Sequence, residues 1–474
     1  MAYEWKPLPI VGPPHQNLHD ERELDVRAAQ VMDAYVDEAG FTVKRPGLEP
    51  FTVTQGFPVD GLYWWDEAEK ALAVVNSTLY TIDNATGSTT SVTSGLPLPA
   101  GNRVSFATTP DGSDVLMASG QNIVSTDGST AAALGDADAP TAVRFVTVYD
   151  QYAIAAIEGT GLFAHSEVGD VTAWRAQDIA SAEAKPDRIV SLLGTLDGFE
   201  LFGKTSAEFW INDGVTPFSR VRGLTFNRGC GARYSPALYG DTWLWLDNNR
   251  TVVKSTVNKI DEVSGQIDRA LHSLSSVEDA IGDVMLVNGL ALYVLTFPLA
   301  NRTFVYNIKQ NDWTEWGEWN ATNGEYLRFR GNSYCYATKW NKHLVGDKTS
   351  GNIYSLNRDY HYDVGSTLRS MRRTGFITHG TGNKKHCREL RFRLKRSVAT
   401  SATPAPLMSV KWRNDSGAWE PTRLVSLGEA GQHELMVSLK QCGDYRTRQY
   451  EFSHADNTDW ILMSGEENVE VRVR

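Results

Sequence analysis

Cysteine is scarce in this chain of 474 residues, and its scarcity excludes two kinds of structure. The four cysteines, Cys230, Cys335, Cys387 and Cys442, lie far apart and form no CxxC pair. Zinc ribbons need closely spaced thiolates. A disulfide framework is not expected in so long a chain with so few cysteines. We therefore predict four buried, reduced thiols.

The chain also lacks long apolar runs and an excess of positive charge. Its start, MAYEWKPLPIVGPPHQNLHDERELDV, has no basic segment followed by an apolar core, so no secretory signal is expected. No apolar run approaches the roughly 20 residues that span a bilayer. We expect a protein that is made in the cytoplasm and is soluble there. The net charge of −11 argues against a general attraction to nucleic acid, because like charge repels the phosphate backbone.

Recognisable catalytic motifs are missing as well. There is no HExxH, GxSxG, P-loop or GxGxxG, and the ten histidines do not cluster at metal-binding spacing. Asp241, Asp247 and Glu262 are weak candidates for a glycosidase-like pair, because a sequence cannot show the separation that such a pair requires. Gly229-Cys230-Gly231 has no nearby histidine, so a tight turn beside a buried thiol is predicted there. We predict no catalytic, cofactor or metal site, and no enzyme.

Aromatic and turn-forming residues, in contrast, are abundant. The 14 Trp, 18 Tyr and 17 Phe suit broad, half-buried β surfaces, and the 40 Gly and 18 Pro can separate many short strands. One helix is predicted from Asp20 to Gly40, with Asp20 as its cap and Gly40 at its end. Residues 1–50 are predicted to form an N-terminal arm that contains this helix.

From residue 51 to residue 362 the sequence repeats a two-strand pattern. The first strands of successive hairpins begin near residues 72, 114, 152, 199, 242, 291 and 343, which is one hairpin every 38 to 52 residues. Repeats of this length with only strands in them are typical of β-propeller blades. We predict about seven blades, with six to eight possible. The repeats carry no WD40, kelch or sialidase Asp-box signature.

The pattern changes near Tyr362, and residues 363–474 are predicted to form a β-sandwich-like domain. The segment Glu389–Lys395 alternates strictly, which predicts a strand with Leu390, Phe392 and Leu394 facing a core. Further strands are predicted at 408–412, 433–439, 446–453 and 469–473. The fold class predicted for the whole chain is therefore all-β.

This C-terminal region also contains a basic run. Its candidate contact residues, for DNA phosphates or for an acidic partner surface, are Arg372, Arg373, Lys384, Lys385, Arg388, Arg391, Arg393 and Lys395. A solvated strand face, with arginines that guard a sheet edge against aggregation, accounts for the run equally well.

Four segments resemble one family. Ala29–Gly40 followed by Lys44-Arg45-Pro46-Gly47-Leu48 is similar to the "N-x-Y…G…R-P-G" opening of the tail nozzle, or packaged-DNA stabilisation, proteins of short-tailed phages, with Asp33 where that family usually has Asn. Leu193–Trp210 looks like that family's "G…D…I/V-F-G-x-x-x-x-E-x-F/W" blade. Arg446–Phe452 and the terminal Val469–Val473 resemble its closing strands.

The resemblance implies a structural part of the virion tail, assembled in the host cytoplasm. It implies a ring of six copies below the portal and its adaptor, which extends the DNA channel and helps to retain packaged DNA until ejection. A needle or plug would close the ring, and tailspikes or fibres would dock outside it. Double-stranded DNA would pass without sequence-specific binding, and an acidic channel wall would favour this because it repels phosphates.

Two other function classes fit a propeller, namely an enzyme acting on host surface glycans and a lectin-like adhesin of a phage tail. An enzyme should bring three or more Asp, Glu, Arg or Tyr side chains together at the funnel of the propeller. A nozzle should instead bury large surfaces between copies.

Overall fold

The chain folds into two compact units, each built from more than one chain segment. The computed structural model describes residues 3–12, 30–52, 56–182, 185, 187–214, 217–256, 259–395, 405–429 and 434–472. Residues 50–301 and 330–356 form one unit, here called the ring unit. Residues 1–49, 302–329 and 357–474 form the other, here called the terminal unit. The domain boundaries predicted at residues 50 and 362 lie near two of these segment ends, whereas residues 302–329 cluster with the terminal unit.

The described residues of the ring unit form antiparallel sheets that follow one another along the chain. Five sheets have four strands each: Val59–Trp65, Lys70–Val75, Thr78–Ile82 and Thr89–Thr93; Ser105–Thr108, Val115–Ala118, Val124–Thr126 and Ala131–Ala133; Val143–Tyr149, Tyr152–Ile157, Leu162–Glu167 and Asp170–Ser181; Ile189–Gly194, Phe199–Gly203, Ala207–Asn212 and Phe218–Phe226; Ala237–Tyr239, Thr242–Leu246, Val252–Thr256 and Lys259–Glu262. They are followed by the hairpin Ile281–Val287 and Leu290–Phe297, and by Gly331–Ala337, Lys342–Asp347 and Ile353–Asn357. A short helix, Asp268–Ser273, and a 3-10 turn, Thr338–Trp340, complete the unit.

Tight turns and apolar second strands explain why this sequence forms hairpins. Asn76-Ser77, Asp150-Gln151 and Asn288-Gly289 each join two strands with positive φ at both residues. That is the conformation that suits a two-residue hairpin loop. The second strand of each sheet, such as Ala153–Ala156, is almost completely buried. Each sheet can therefore be stable only if its neighbours cover it.

Hydrogen bonds at the inner strands join most of the successive sheets, and they also join the last sheet to the first. The Val104 amide donates to the Asp60 carbonyl oxygen at 3.0 Å. Four more neighbouring pairs are joined by the hydrogen bonds Ser105 Oγ to the Val146 carbonyl at 3.1 Å, the Gly282 amide to the Tyr234 carbonyl at 2.8 Å, the Leu286 amide to the Tyr334 hydroxyl at 3.2 Å, and Asn332 Nδ2 to the Val59 carbonyl at 3.0 Å. The last of these bonds returns to the first sheet. The ring unit is therefore a β-propeller, and the predicted all-β fold with a propeller is confirmed.

The terminal unit contains two larger sheets. In the first, the order is Ala34–Val36, Thr42–Lys44, Ile461–Val471, Lys385–Lys395 and Glu434–Tyr445, and Glu4–Pro7 also pairs with Ile461–Val471. The second contains Arg302–Asn307, Asp312–Glu315, Gln30–Met32, Ser370–Arg373, Arg448–His454, Leu407–Asn414 and Arg423–Ser426. Smaller pairings join Gly317–Asn320 with Glu325–Arg328, and Tyr362–Asp363 with both Ser366–Thr367 and Gly47–Thr52.

One apolar core lies between these two sheets. Leu390, Phe392 and Leu394 point into it, as their alternation predicts, and each is at most 2% exposed. Trp412 and Phe452 of the second sheet belong to the same core. Phe392 and Phe452 meet edge to face with ring centroids 5.7 Å apart. The two sheets are thus joined by interdigitated side chains.

The helix predicted from Asp20 to Gly40 is wrong over its second half, and residues 20–29 lie outside the described residues. Gln30–Met32 and Ala34–Val36 are strands, separated by Asp33 in a left-handed conformation with φ 48°. The β-branched and aromatic side chains between residues 31 and 36 favour strands. Gln30–Met32 pairs with the distant Ser370–Arg373, and Ala34–Val36 pairs with Thr42–Lys44, which joins it to the first sheet. Tertiary pairing therefore outweighs the helical spacing that suggested the prediction.

Arg45 connects distant segments of the terminal unit through charged hydrogen bonds. Its side chain has no exposed surface. Nε donates to Asp33 Oδ1 at 2.8 Å, and both terminal nitrogens donate to the carboxylate of Asp363. Further donations reach the carbonyl oxygens of Pro46 and Gly317, each at 3.0 Å. The guanidinium thereby neutralises two buried carboxylates and fixes the segments that carry them.

Replacing Arg45 tests this arrangement. Arg45→Met should lower the free energy of unfolding by about 3–5 kcal/mol, because two buried carboxylates lose their counter-charge. The loss should be smaller at pH 5 than at pH 8, since burial raises the pKa of Asp33 to about 6 and the acid form needs no cation. Denaturant titration of the full chain measures it. The exposed Arg358→Met is the control, and equal midpoints for the two variants would contradict the role assigned to Arg45.

His454 is a second buried ionisable group of the terminal unit. It is 1% exposed, its Nδ1 lies 3.0 Å from the Leu407 carbonyl oxygen, and its Nε2 lies 3.0 Å from the Thr458 hydroxyl. Nε2 also lies 3.0 Å from the Thr458 carbonyl oxygen, so a neutral ring can donate from either nitrogen. Burial, together with the nearby charge of Lys44, lowers the pKa of His454 to about 3.

His454 therefore makes stability depend on pH. An unfolded histidine takes up a proton near pH 6.5, whereas folded His454 does so only near pH 3, so the free energy of unfolding should fall as the pH decreases between these values. Between pH 6.5 and pH 5 the contribution is about 2 kcal/mol. Denaturation curves at both pH values, for the native chain and for His454→Gln, measure it. A pH dependence that is the same in both proteins would show that His454 does not contribute.

Candidate functional site

The axis of the ring unit contains a cavity of about 370 Å³. It is lined by the inner strands, and the charged or hydroxyl-bearing side chains that reach it include Arg103, Arg233, Tyr234, Asp283 and Tyr334. A space of this size suits a small molecule and not a nucleic-acid duplex. Polar side chains therefore converge here, as they would in a propeller enzyme. Whether they could act in catalysis depends on how their charges are paired.

The charged groups near the axis neutralise one another. Arg103 forms an ion pair with Asp283 and also donates to the Asn332 carbonyl oxygen at 2.8 Å. Burial raises the pKa of Asp283, although Arg103 opposes the rise. Glu158 accepts from Arg144 at 2.7 Å and from Arg233 at 3.0 Å. Asp283 is the one carboxylate among the described residues that line the cavity, so no acid pair is assembled there.

The carboxylates that the sequence offered for catalysis stabilise a turn instead. Asp247 is fully buried, and its Oδ1 accepts from the backbone amides of Asn249 at 2.8 Å and Thr251 at 2.9 Å. Arg228 lies between Asp247 and Glu262 and pairs with both. Asp241 lies at an exposed turn. No group of three His, Cys, Asp or Glu residues that could hold a metal ion occurs in the described part of the chain.

Cys230 forms an isolated antiparallel bridge with Asp247, and the predicted turn lies beside it, where the Ser235 amide donates to the Ala232 carbonyl oxygen at 3.0 Å. A Cβ on Gly231 would lie 2.3 Å from the Asp247 carbonyl oxygen, so a larger residue does not fit there. The thiol is 3% exposed, and burial raises its pKa to about 12, which opposes formation of a thiolate nucleophile. All four cysteines are free; Cys230, Cys387 and Cys442 are buried, and Cys335 is partly buried.

The family-like segment Leu193–Trp210 covers most of the second and third strands of the fourth sheet. Its two glutamates, Glu200 and Glu208, lie on these neighbouring strands and are 3% and 1% exposed. Burial, together with the charge of Glu208, raises the pKa of Glu200 well above its ordinary value. Because both carboxylates are shielded from solvent, this motif contributes to the interior of the sheet and offers no surface for a substrate.

Three of the eight predicted contact residues have internal partners. Arg372 is 1% exposed and donates to the Thr42 hydroxyl and to the Gly12 carbonyl. Lys385 is fully buried and donates to the carbonyl oxygens of Thr381, Asn383 and Arg446 at 2.6, 3.0 and 2.7 Å. Arg373 pairs with the buried Glu451. These cations hold loops and strands of the terminal unit together.

The other five residues lie at or next to strand Lys385–Lys395, on its solvent side. Lys384 pairs with Asp444 at 3.0 Å, and Arg391 pairs with Glu389 at 3.0 Å. Arg388, Arg393 and Lys395 are exposed. Trp5 and Tyr3 add aromatic rings to this face: the Arg391 guanidinium lies 4.2 Å from the Trp5 ring centre, and that of Arg388 lies 5.7 Å from Tyr3. We call this surface the basic face.

Sequence reasoning missed two residues of this surface, His386 and Lys440. Together with Arg388, Glu389, Gln441 and Gly443 they line a pocket of about 380 Å³. Lys440 comes from strand Glu434–Tyr445, opposite Glu389. Only the register between two strands brings it there, and no local signal in the sequence contains that register.

Comparison with known proteins identifies the family to which this propeller belongs. The sequence profile of the phage stabilisation family, described as bacteriophage P22 Gp10, β-propeller, matches residues 23–361. The chain therefore belongs to that family, and it is a phage DNA stabilisation protein of the tail-hub type. As a member of the family it is a component of the phage virion. The match covers none of the residues of the basic face.

Solved structures give a more distant likeness. They include PorZ, a surface component of the type-IX secretion system of Porphyromonas gingivalis (12% identity, TM-score 0.42, 80% of this chain and 46% of PorZ covered). YCF48 bound to the D1 peptide has 11% identity and a TM-score of 0.40, with coverage of 66% and 98%. The N-terminal domain of Nup159 has 10% identity and a TM-score of 0.39, with coverage of 69% and 98%. The chain spans about half the length of PorZ, and likeness at this level carries no functional conclusion.

A search of the curated proteins found no match. Among the described residues, no helix is long and apolar enough to cross a membrane.

The internal and exposed cations of strand Lys385–Lys395 should respond differently to substitution. Lys385→Met should lower the free energy of unfolding by about 1–3 kcal/mol, because three carbonyl oxygens lose their donor. Arg388→Met removes the same charge three residues away and should change it by less than about 0.5 kcal/mol. Denaturant titration of both variants decides this. Equal losses would mean that the exposed cations also stabilise the fold.

Proposed function

We propose that the protein forms the tail nozzle, or hub, of a short-tailed phage: a ring of copies, six in number, below the portal and adaptor. The ring extends the DNA channel and helps to retain packaged DNA until ejection. A needle or plug closes it, and tailspikes or fibres dock on its outside. The observation that carries this proposal is the family match across residues 23–361, which spans the whole described propeller.

The geometry of the axis supports a structural role over catalysis. Retaining and inverting glycosidases need two carboxylates about 5–9.5 Å apart. The axial cavity offers Asp283 alone among its described lining residues, already paired with Arg103. A glycan-active enzyme or a lectin-like adhesin therefore remains the weaker alternative, and we propose a protein that is not an enzyme.

DNA would pass between the copies and not through the propeller. The axial cavity is too small for a duplex, and Arg103 bonded to Asp283 and Asn332 lies across it. The lumen of a ring of copies would then be the channel. Acidic walls there would repel phosphates and let DNA slide without sequence-specific contacts, which agrees with the net charge of −11.

We also propose the finer architecture as seven blades followed by a β-sandwich. The support for seven is the number of sheets in the described ring unit, each contacting the next through inner strands or packed side chains, such as Phe202 against Trp245. The support for a sandwich is the single core between the two sheets of the terminal unit. Within this architecture the basic face is the candidate contact surface for a partner.

Reconstitution tests the proposed assembly. The full-length protein should bind the portal–adaptor complex of its phage and increase its native mass by six copies. Heads filled with DNA but lacking this protein should retain their DNA only after it is added. Native mass spectrometry and a nuclease-protection assay measure the two effects. A protein that stays monomeric and does not bind the complex would contradict the proposal and favour the glycan-active alternative.

A further inference from the structure

A β-bulge shapes the pocket on the basic face. Between Cys387 and Glu389 the register shifts in both ladders of strand Lys385–Lys395. Arg388 has no partner in strand Ile461–Val471, where Val469 and Asn468 pair with its two neighbours. On the other side it faces two residues, Gln441 and Cys442.

The bulge turns Arg388 out of the core. Leu390, Phe392 and Leu394 point inward at every second position, so regular pairing would place Arg388 inside with them. With the bulge, Cys387 is buried and Arg388 is exposed. The opposing Gln441 adopts a left-handed conformation with φ 59°. A bulge gives up ladder hydrogen bonds, and such features often serve to re-aim a side chain.

Most charges around the pocket have partners of opposite charge, but two cations do not. Glu389 pairs with Arg391, and Asp444 pairs with Lys384, His386 and Arg472. Arg388 and Lys440 form no ion pair with any described residue, although both line the pocket. Two unpaired cations that converge on a concave site form a binding site for an anion.

We propose that this pocket receives an acidic side chain from the propeller of a second copy of the chain. The proposal rests on the ring of copies proposed above. The ring unit has 30 Asp and Glu against 19 Lys and Arg, whereas the terminal unit has 27 of each. The whole negative excess of the protein is therefore in the propeller, which makes it the complementary surface for the basic face.

The same charges favour a head-to-tail contact. Two basic faces repel each other, so a symmetric pair that joins this patch to itself is disfavoured. A contact between two different patches repeats from copy to copy and closes into a ring. DNA suits the pocket less well, since a phosphate backbone calls for a row of cations along a groove, and Glu389 is among the pocket residues.

Charge reversal tests the pocket in the assembled protein. Arg388→Glu combined with Lys440→Glu should reduce completed rings on the portal–adaptor complex at least about tenfold at equal protein concentration, as expected when close charge pairs across an interface are lost. Copies per complex are counted by native mass spectrometry. The control is Arg358→Glu, which reverses an exposed charge on the same unit and should form rings like the native chain. An unchanged denaturation midpoint shows that the double variant is folded.

A mixing experiment adds a readout that is specific for a head-to-tail contact. The double variant keeps its acidic propeller, so it should still bind to the pocket of a native copy but should not accept the next one. Equal amounts of variant and native protein should thus yield incomplete rings. The number of complete rings should be lower than dilution of the native protein alone predicts. Higher salt should weaken native ring formation, because screening reduces the attraction.

Several outcomes would overturn this inference. Complete rings from the double variant would do so, as would an equal loss in the Arg358→Glu control. Complete rings that leak DNA would assign the pocket to DNA phosphates instead. Failure of the native protein to bind the portal–adaptor complex would refute the proposed function itself, which is a different result from failure of the variant alone.

Discussion

The terminal unit depends on one buried cation, Arg45. Its guanidinium binds two carboxylates that are far apart in the sequence, Asp33 and Asp363, and lies 5.1 Å from the ring centre of Phe329. Without it, both carboxylates would lose the cation that binds them in this interior. Asp33 can occupy its left-handed position because aspartate tolerates that conformation, and from there it also accepts the Gly317 amide. One side chain thus joins three of the segments that make up the unit.

The ring unit relies on a different principle, since each sheet is covered by its neighbours. Apolar second strands make every sheet dependent on the next one, and the bond from Asn332 to Val59 completes the circle. Charged side chains near the axis form internal ion pairs, such as the pair of Arg103 with Asp283. The interior of the propeller therefore serves stability.

Local patterns predicted the fold better than they predicted the surface. Hairpins such as the one formed by Tyr152–Ile157 and Leu162–Glu167 can be predicted, because their apolar runs and turn residues are neighbours in the sequence. The helix predicted at Asp20–Gly40 is wrong beyond residue 29, since Gln30–Met32 pairs with a strand hundreds of residues away and Ala34–Val36 pairs with Thr42–Lys44, itself held by Ile461–Val471. Pairing also explains why two cations of the same strand, Lys385 and Arg388, have opposite environments. The register shift between Cys387 and Glu389 decides which of them is buried, and the sequence of one strand does not contain this shift.

The interleaving of the two units has a consequence for synthesis on the ribosome. Every segment of the propeller has been made once residue 356 has been translated, whereas the terminal unit needs both the first residues and the last strand, Ile461–Val471. The propeller can thus begin to fold while the earliest segment still waits for its partners. A chain that stops short would carry a propeller without a complete basic face. Nascent or truncated copies would then lack the surface through which we propose that the copies join.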